Sequence, residues 1–153
     1  LAKLLHDDEL SHMARHALEA NDSPEAVKAL VGAIDKAPKK IKIGIISSLG
    51  ARGVGVPVAP LAKALSDKDA DISTAGALAL GAIGSADAVK ALGSAKVNDG
   101  NKIAVYDAMI QCAENMLAHG KKSEAKAIYT KVLKSSPTKA AKIAADLGIK
   151  ASA

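Results

Sequence analysis

Slid against itself by 31 residues, the sequence falls into register with itself. Val27, Val58 and Val89 share one column, Leu30, Leu61 and Leu92 a second, and Leu18, Leu49 and Leu80 a third. Gly50 with Gly81 and Gly53 with Gly84 keep the offset, and Leu10, Ile41, Ile72 and Ile103 extend it to four units. A repeat of this length is one supersecondary unit that cannot cover its own apolar face, so neighbouring units must stack.

Within a unit the period is helical. Val58, Leu61, Ala62 and Leu65 stand at i, i+3, i+4 and i+7, and Ile72, Ala75, Ala79 and Leu80 mark a second helix with similar spacing. The punctuation agrees. Ser23-Pro24-Glu25 reads as a cap with proline at the first helical position. Asp67 to Asp71 is a polar turn with acids at a helix start, and Gly53 and Gly84 stand where left-handed caps favour glycine. Ile41-Lys42-Ile43-Gly44-Ile45 alternates like a strand. Its columns align with the helical run Ile72 to Leu80, however, and Ile41, Ile45 and Leu49 make a helical stripe. Helix is therefore expected here, with Ile43 and Ile46 off the buried face.

Composition supports the same class. There is no Phe, no Trp and only two Tyr, yet apolar residues make up 49% of the chain, so the core must be mostly Ala, Leu, Ile and Val. Such side chains suit closely approaching helices, whereas sandwiches lean on aromatic and β-branched residues, and ligand pockets are usually lined by some aromatics. The 153 residues suit one domain. No apolar run reaches the roughly 18 residues that a bilayer span requires. One cysteine, Cys112, excludes an internal disulfide framework and a thiolate-rich metal site. The chain opens on Leu1 rather than Met, and Leu1 to Leu5 reads as the tail of a helix, so a piece of a longer protein with a truncated first repeat is expected.

After Gly120 the pattern changes. Ala125, Ile128, Tyr129, Val132 and Leu133 form an amphipathic helix that Ser136-Pro137 ends. Ala140, Ile143, Ala144 and Leu147 make the stripe of a last short helix. The net charge of +5 also lies here, because residues 120–153 hold eight Lys against Glu124 and Asp146.

The run Val56-Pro-Val-Ala-Pro-Leu-Ala-Lys-Ala-Leu65, followed by Asp69-Ala-Asp-Ile-Ser-Thr-Ala-Gly-Ala-Leu-Ala-Leu-Gly-Ala-Ile-Gly84, resembles HEAT repeats of the phycobilisome-lyase type. It departs from them at Ser73, where such repeats often carry Arg. Leu10-Ser-His-Met-Ala-Arg15 and Cys112-Ala-Glu-Asn-Met-Leu-Ala-His-Gly-Lys-Lys122 are similar to HEAT segments of large exported multidomain bacterial proteins. The run Gly120 to Ala125 with Tyr129 and Pro137 resembles half of a tetratricopeptide unit. The resemblance implies an all-α superhelix, a HEAT/armadillo-like solenoid of four to five helix pairs. Residues 1–119 would form the repeats and 120–153 capping helices of the same domain. It implies export for the parent protein, and no reaction.

In such stacks the second helix of each pair lines the concave side. The candidate partner-binding band is therefore His12, Arg15 and His16, then Lys42, Ile43 and Ile46, then Ser73, Thr74 and Leu78. This points to a non-catalytic interaction or scaffold module that binds a protein or another domain of the parent chain. The alternative is nucleic-acid backbone binding through a basic face of Lys121, Lys122, Lys126, Lys131, Lys134, Lys139 and Lys142, since backbone binding needs only positive charge. Against base readout stand the two lone arginines, Arg15 and Arg52, and the lack of a stacking platform.

His12 and His16 share a helical face and, with Asp8 or Glu9, offer a metal-ligand spacing, but without the Glu that a zincin requires. A solvated or partner-facing pair is the simpler reading. Cys112 reads as a buried small hydrophobe, since its nearest histidine in sequence, His119, is about two turns away. Gly50, Gly53 and Gly55 are not preceded by a strand and make a weak phosphate cradle. No metal, cofactor or catalytic set is expected.

Overall fold

The computed structural model describes residues 1–7, 9–135 and 137–153. Asp8, a candidate ligand, and Ser136, expected at a helix end, lie outside the described residues. The elements are α1 (Ser11–Glu19), α2 (Pro24–Ala33), α3 (Lys39–Arg52), α4 (Val58–Leu65), α5 (Ala70–Ile83), α6 (Ala86–Gly93), α7 (Lys102–Ala118), α8 (Lys122–Lys134) and α9 (Lys139–Ala151). No strand occurs among the described residues, and no helix there is long and apolar enough to cross a membrane.

The pairs are α2 with α3, α4 with α5, α6 with α7 and α8 with α9. Their second helices stack in one ladder, α1 on α3, α3 on α5, α5 on α7 and α7 on α9. The short 3-10 helix Ala2–His6 packs on α1 and α2, the place a first helix takes in later units. Local chemistry sets these boundaries. The Ser23 hydroxyl accepts from the Ala26 N–H and Pro24 follows it. The Asp69 carboxylate accepts from the N–H groups of Asp71 and Ile72 at 3.0 and 3.3 Å. Gly84 ends α5 at φ 59°, a left-handed conformation that a Cβ disfavours.

The leucine columns are the core: Leu18, Leu30, Leu49, Leu61, Leu80 and Leu92 are all buried. The alternating isoleucines lie in α3, as the repeat alignment requires. Between second helices the seam is glycine on alanine. A Cβ at Gly50 would stand 2.7 Å from the Ala79 Cα, and one at Gly81 would stand 2.8 Å from the Ala108 Cβ. Cys112 is buried against this second seam, its Sγ 3.7 Å from the Gly81 carbonyl oxygen.

Four expectations are corrected. Ile46 is fully buried rather than exposed, because α3 is packed by α1, α2 and α5 and so buries a wider arc than one stripe. Ser73 is buried too, its hydroxyl donating to the Leu65 carbonyl at 2.6 Å and accepting from Asn101 Nδ2 at 3.0 Å. The isoleucine column breaks at α7, where Ile103 is exposed. The two seams explain this: Gly50 meets Ala79, but Gly81 meets Ala108, so α7 sits two residues out of the 31-residue register. The buried Asn101, not Ile103, takes the place of Ile72. Finally, α9 is turned. Ala141, Ala145 and Gly148 face inward, while Ile143 and Leu147 are 53% and 60% exposed. Gly148 lies flat on the Tyr129 ring with no room for a Cβ, so close approach selects the small residues and leaves the large ones outside.

Candidate partner-binding groove

The second helices run parallel. Lys39 at the start of α3 bridges Asp69 and Asp71 at the start of α5, at 2.7 Å each, while Gly50 meets Ala79 further along. The seam pairs then align the exposed and half-buried positions rung by rung: His12, His16 and Ala20 on α1 and its end; half-buried Ile43 with Ser47 and Ala51 on α3; half-buried Thr74 with Leu78 and Ala82 on α5; Ile103, Asp107 and Gln111 on α7. Two grooves lie along this surface.

The first, about 500 Å³, runs between α1 and α3 and is lined by Ser11, His12, Arg15, Pro38, Lys40, Ile41 and Gly44. Arg15 is its hub. One Nη donates to the Ser48 hydroxyl at 2.6 Å and the other to His12 Nδ1 at 2.9 Å, with the Glu19 carboxylate 3.6 Å away. Ser48 in turn donates to Glu19 at 2.5 Å. Gly44 makes this possible, since a Cβ there would stand 2.9 Å from Arg15 Nε. The second groove, about 490 Å³, runs between α3 and α5 and is more apolar. Ile43 and Leu78 form its walls, Gly50, Ala75 and Ala79 its floor, and Asp71 stands at its start.

Of the residues predicted from sequence, His12 and Arg15 line the first groove and Ile43, Thr74 and Leu78 the second. Ile46 lines neither. His16 is exposed beside them, its ring 4.6 Å from that of His12 and edge-on. Lys42 is half-buried and acts elsewhere: with the nearer Lys63, 2.8 Å away, its charge lowers the pKa of Asp35. Ser47, Ala51 and Ala82 were missed, although the offset of 31 carries Leu78 to Ser47 and Ala82 to Ala51. That arithmetic was the available signal. Arg52 holds structure rather than ligand, donating to the carbonyls of Leu18, Glu19 and Asn21 at the open end of α1.

The basic residues Lys121, Lys122, Lys126, Lys131, Lys134, Lys139 and Lys142 are all exposed. Lys126 and Lys131 lie along α8, and the others stand at the two ends of the antiparallel α8–α9 hairpin. Lys121 and Lys122 open α8, and Lys122 donates to the Ala153 carbonyl, while Lys134 and Lys139 flank the turn. A 13-residue helix separates these ends by about 20 Å. Tyr106 and Tyr129 are both buried, so neither offers a face for base stacking.

Among the described residues no group of three or more His, Cys, Asp and Glu gathers to hold a metal. The Arg15 guanidinium against His12 Nδ1 is a cation where a metal would need a lone pair. Burial pushes the Cys112 thiol up to about 11, the opposite of activation. A family description of HEAT repeats matches residues 27–110, more than half of the chain. No curated protein matches the sequence.

Proposed function

The chain belongs to the HEAT-repeat family, and from that premise we propose that it is a non-catalytic interaction or scaffold module. It would take a segment of a partner protein, or of another domain of its parent chain, on the face of its second-helix ladder. The observation that carries this reading is the α3–α5 groove, where two bulky walls, Ile43 and Leu78, flank a floor of Gly50, Ala75 and Ala79. Concave, mostly apolar surfaces with a few placed polar groups are where proteins take ligands, and exposed apolar patches on a folded domain mark interaction sites. The arginine-centred α1–α3 groove beside it supplies the polar contacts that fix register. The alternative, a nucleic-acid backbone held by the exposed lysines of α8 and α9, has less to support it, since the buried tyrosines add no face for base stacking.

The test is affinity capture from native lysate with the wild-type chain, the groove variant Leu78→Glu, and Lys28→Glu on exposed α2 as control. A partner lost with Leu78→Glu and retained with Lys28→Glu supports the groove. Recovery of every partner unchanged by Leu78→Glu counts against it.

A further inference from the structure

Helix α9 keeps its small residues inside and so carries both apolar bulk and charge on its outer face. Lys139, Ile143, Leu147 and Lys150 stand at i, i+4, i+8 and i+11, which is one stripe of a helix, and all four are exposed. Ala141, Ala145 and Gly148 occupy the opposite, buried side. Exposed Ala140 widens the apolar middle of the stripe on one flank. Over the 13 residues of α9 the stripe runs about 20 Å, apolar at its centre and cationic at each end.

The hairpin reinforces both cationic ends. The bond from Lys122 to the Ala153 carbonyl brings Lys121 and Lys122 to the end of α9 that holds Lys150, while Lys134 lies across the turn from Lys139 and Lys142 follows one turn in. Residues 120–153 hold eight Lys against Glu124 and Asp146, and Asp146 has Lys142 and Lys150 four residues to either side. Among the described residues none of these lysines pairs with a side-chain carboxylate. Their charge is therefore free, unlike that of Arg15 or Lys39, each already bound to acids of its own molecule. The apolar ridge alone would name no occupant, and the lysines alone would fit any polyanion. Together they select a surface that is anionic outside and apolar beneath, which is that of an anionic lipid bilayer. A nucleic-acid backbone would satisfy the lysines but leave Ile143 and Leu147 against phosphate and water.

We propose that α9 seats this molecule on an anionic membrane surface. The helix lies flat, with Ile143 and Leu147 at the outer edge of the acyl chains and Lys139, Lys142 and Lys150 among the headgroups, the lysine stems reaching up past the ridge. The contact is peripheral, since no helix among the described residues is long and apolar enough to cross a bilayer. α7 lies between α9 and the α3–α5 groove, so this contact and the groove are independent.

Co-sedimentation with vesicles tests this, using phosphatidylcholine alone and an equal mixture with phosphatidylglycerol, at low and high salt. Wild type should partition onto the anionic vesicles at least about tenfold more strongly than onto the neutral ones, and less strongly in high salt, where exposed charges are screened. A lysine near such a surface is worth about fivefold in partition, so Lys139→Gln with Lys150→Gln should lower it at least about tenfold. Leu147→Ser keeps the charge and should lower it about fivefold, while Lys28→Gln on exposed α2 should change it less than about twofold. All these positions are exposed, and circular dichroism checks that the variants stay folded. Wild type that stays in the supernatant with anionic vesicles at low salt overturns the proposal without recourse to any variant. Partition that Leu147→Ser leaves unchanged also overturns it, and duplex DNA held more tightly than the vesicles in the same salt series would assign the lysines to a nucleic-acid backbone instead. A lipid-free chain that dimerises through Leu147 would give the ridge to a second copy and equally overturn it.

Discussion

Replacing Gly50 with alanine tests whether the missing side chain sets the distance between α3 and α5. The added Cβ would stand 2.7 Å from the Ala79 Cα and 2.9 Å from its Cβ. Ordinary contact begins near 3.4 Å, so the two helices must part by about 0.7 Å, since a backbone atom cannot swing aside. A gap of that size forfeits roughly a quarter to a half of the dispersion well for contacts along the seam, and overpacking of this kind costs about 1–3 kcal/mol. Helix propensity acts the other way, by up to about 1 kcal/mol for glycine to alanine. Gly32 in α2 separates the two effects, because a Cβ there meets nothing within 4 Å. Gly32→Ala takes the propensity gain without the clash. Gly50→Ala should therefore be less stable than Gly32→Ala by about 1–3 kcal/mol, read from urea unfolding followed by circular dichroism. A Gly50→Ala protein as stable as the Gly32→Ala control would refute the seam.

Two further outcomes follow from the polar and thiol groups. The Lys39 ammonium bonded to Asp69, helped by the N–H groups of Ile72 and Asp71, holds the Asp69 carboxyl below its usual 3.8. Its contribution to stability is thus complete above that value and lost as pH falls through the lower folded one. Asp69→Asn keeps a capping side chain, so its deficit against wild type should be widest near neutral pH and close below about pH 4; a deficit unchanged into strong acid would contradict the pairing. Cys112, buried with its thiol raised to about 11, should react with a thiol reagent at pH 8 only as fast as the fold opens, and rapid labelling of the native chain would show the core is looser than described.

The fold was legible because column identity survives in sequence. Leu30, Leu61 and Leu92 are buried in three successive first helices, and the same comparison overruled the strand-like alternation of Ile41 to Ile45. What failed were inferences that depend on how many neighbours a helix has. A single stripe could not show that α3 buries Ile46 as well as Ile45, since the third packing partner is not written in α3 itself. The slip of α7 was hidden because Ile72 and Ile103 match in identity while Asn101, a polar residue, holds the buried place. In α9 the assumption that the largest apolar residues turn inward gave the wrong face, because the Tyr129 ring admits only Gly148. The groove was half legible: Ile43, Thr74 and Leu78 were found from one helix at a time, and Ser47, Ala51 and Ala82 needed the offset carried across.

The glycine-on-alanine seam has a consequence for how such a protein changes length. The surface of α3 that receives α5 is built like the surface of α5 that receives α7. One whole unit could therefore be copied in or cut out between them and find a matching bed already prepared, while a partial unit would set a methyl group against a backbone. The face of the ladder can thus grow or shrink in steps of one rung, with the chemistry of each new rung free to vary.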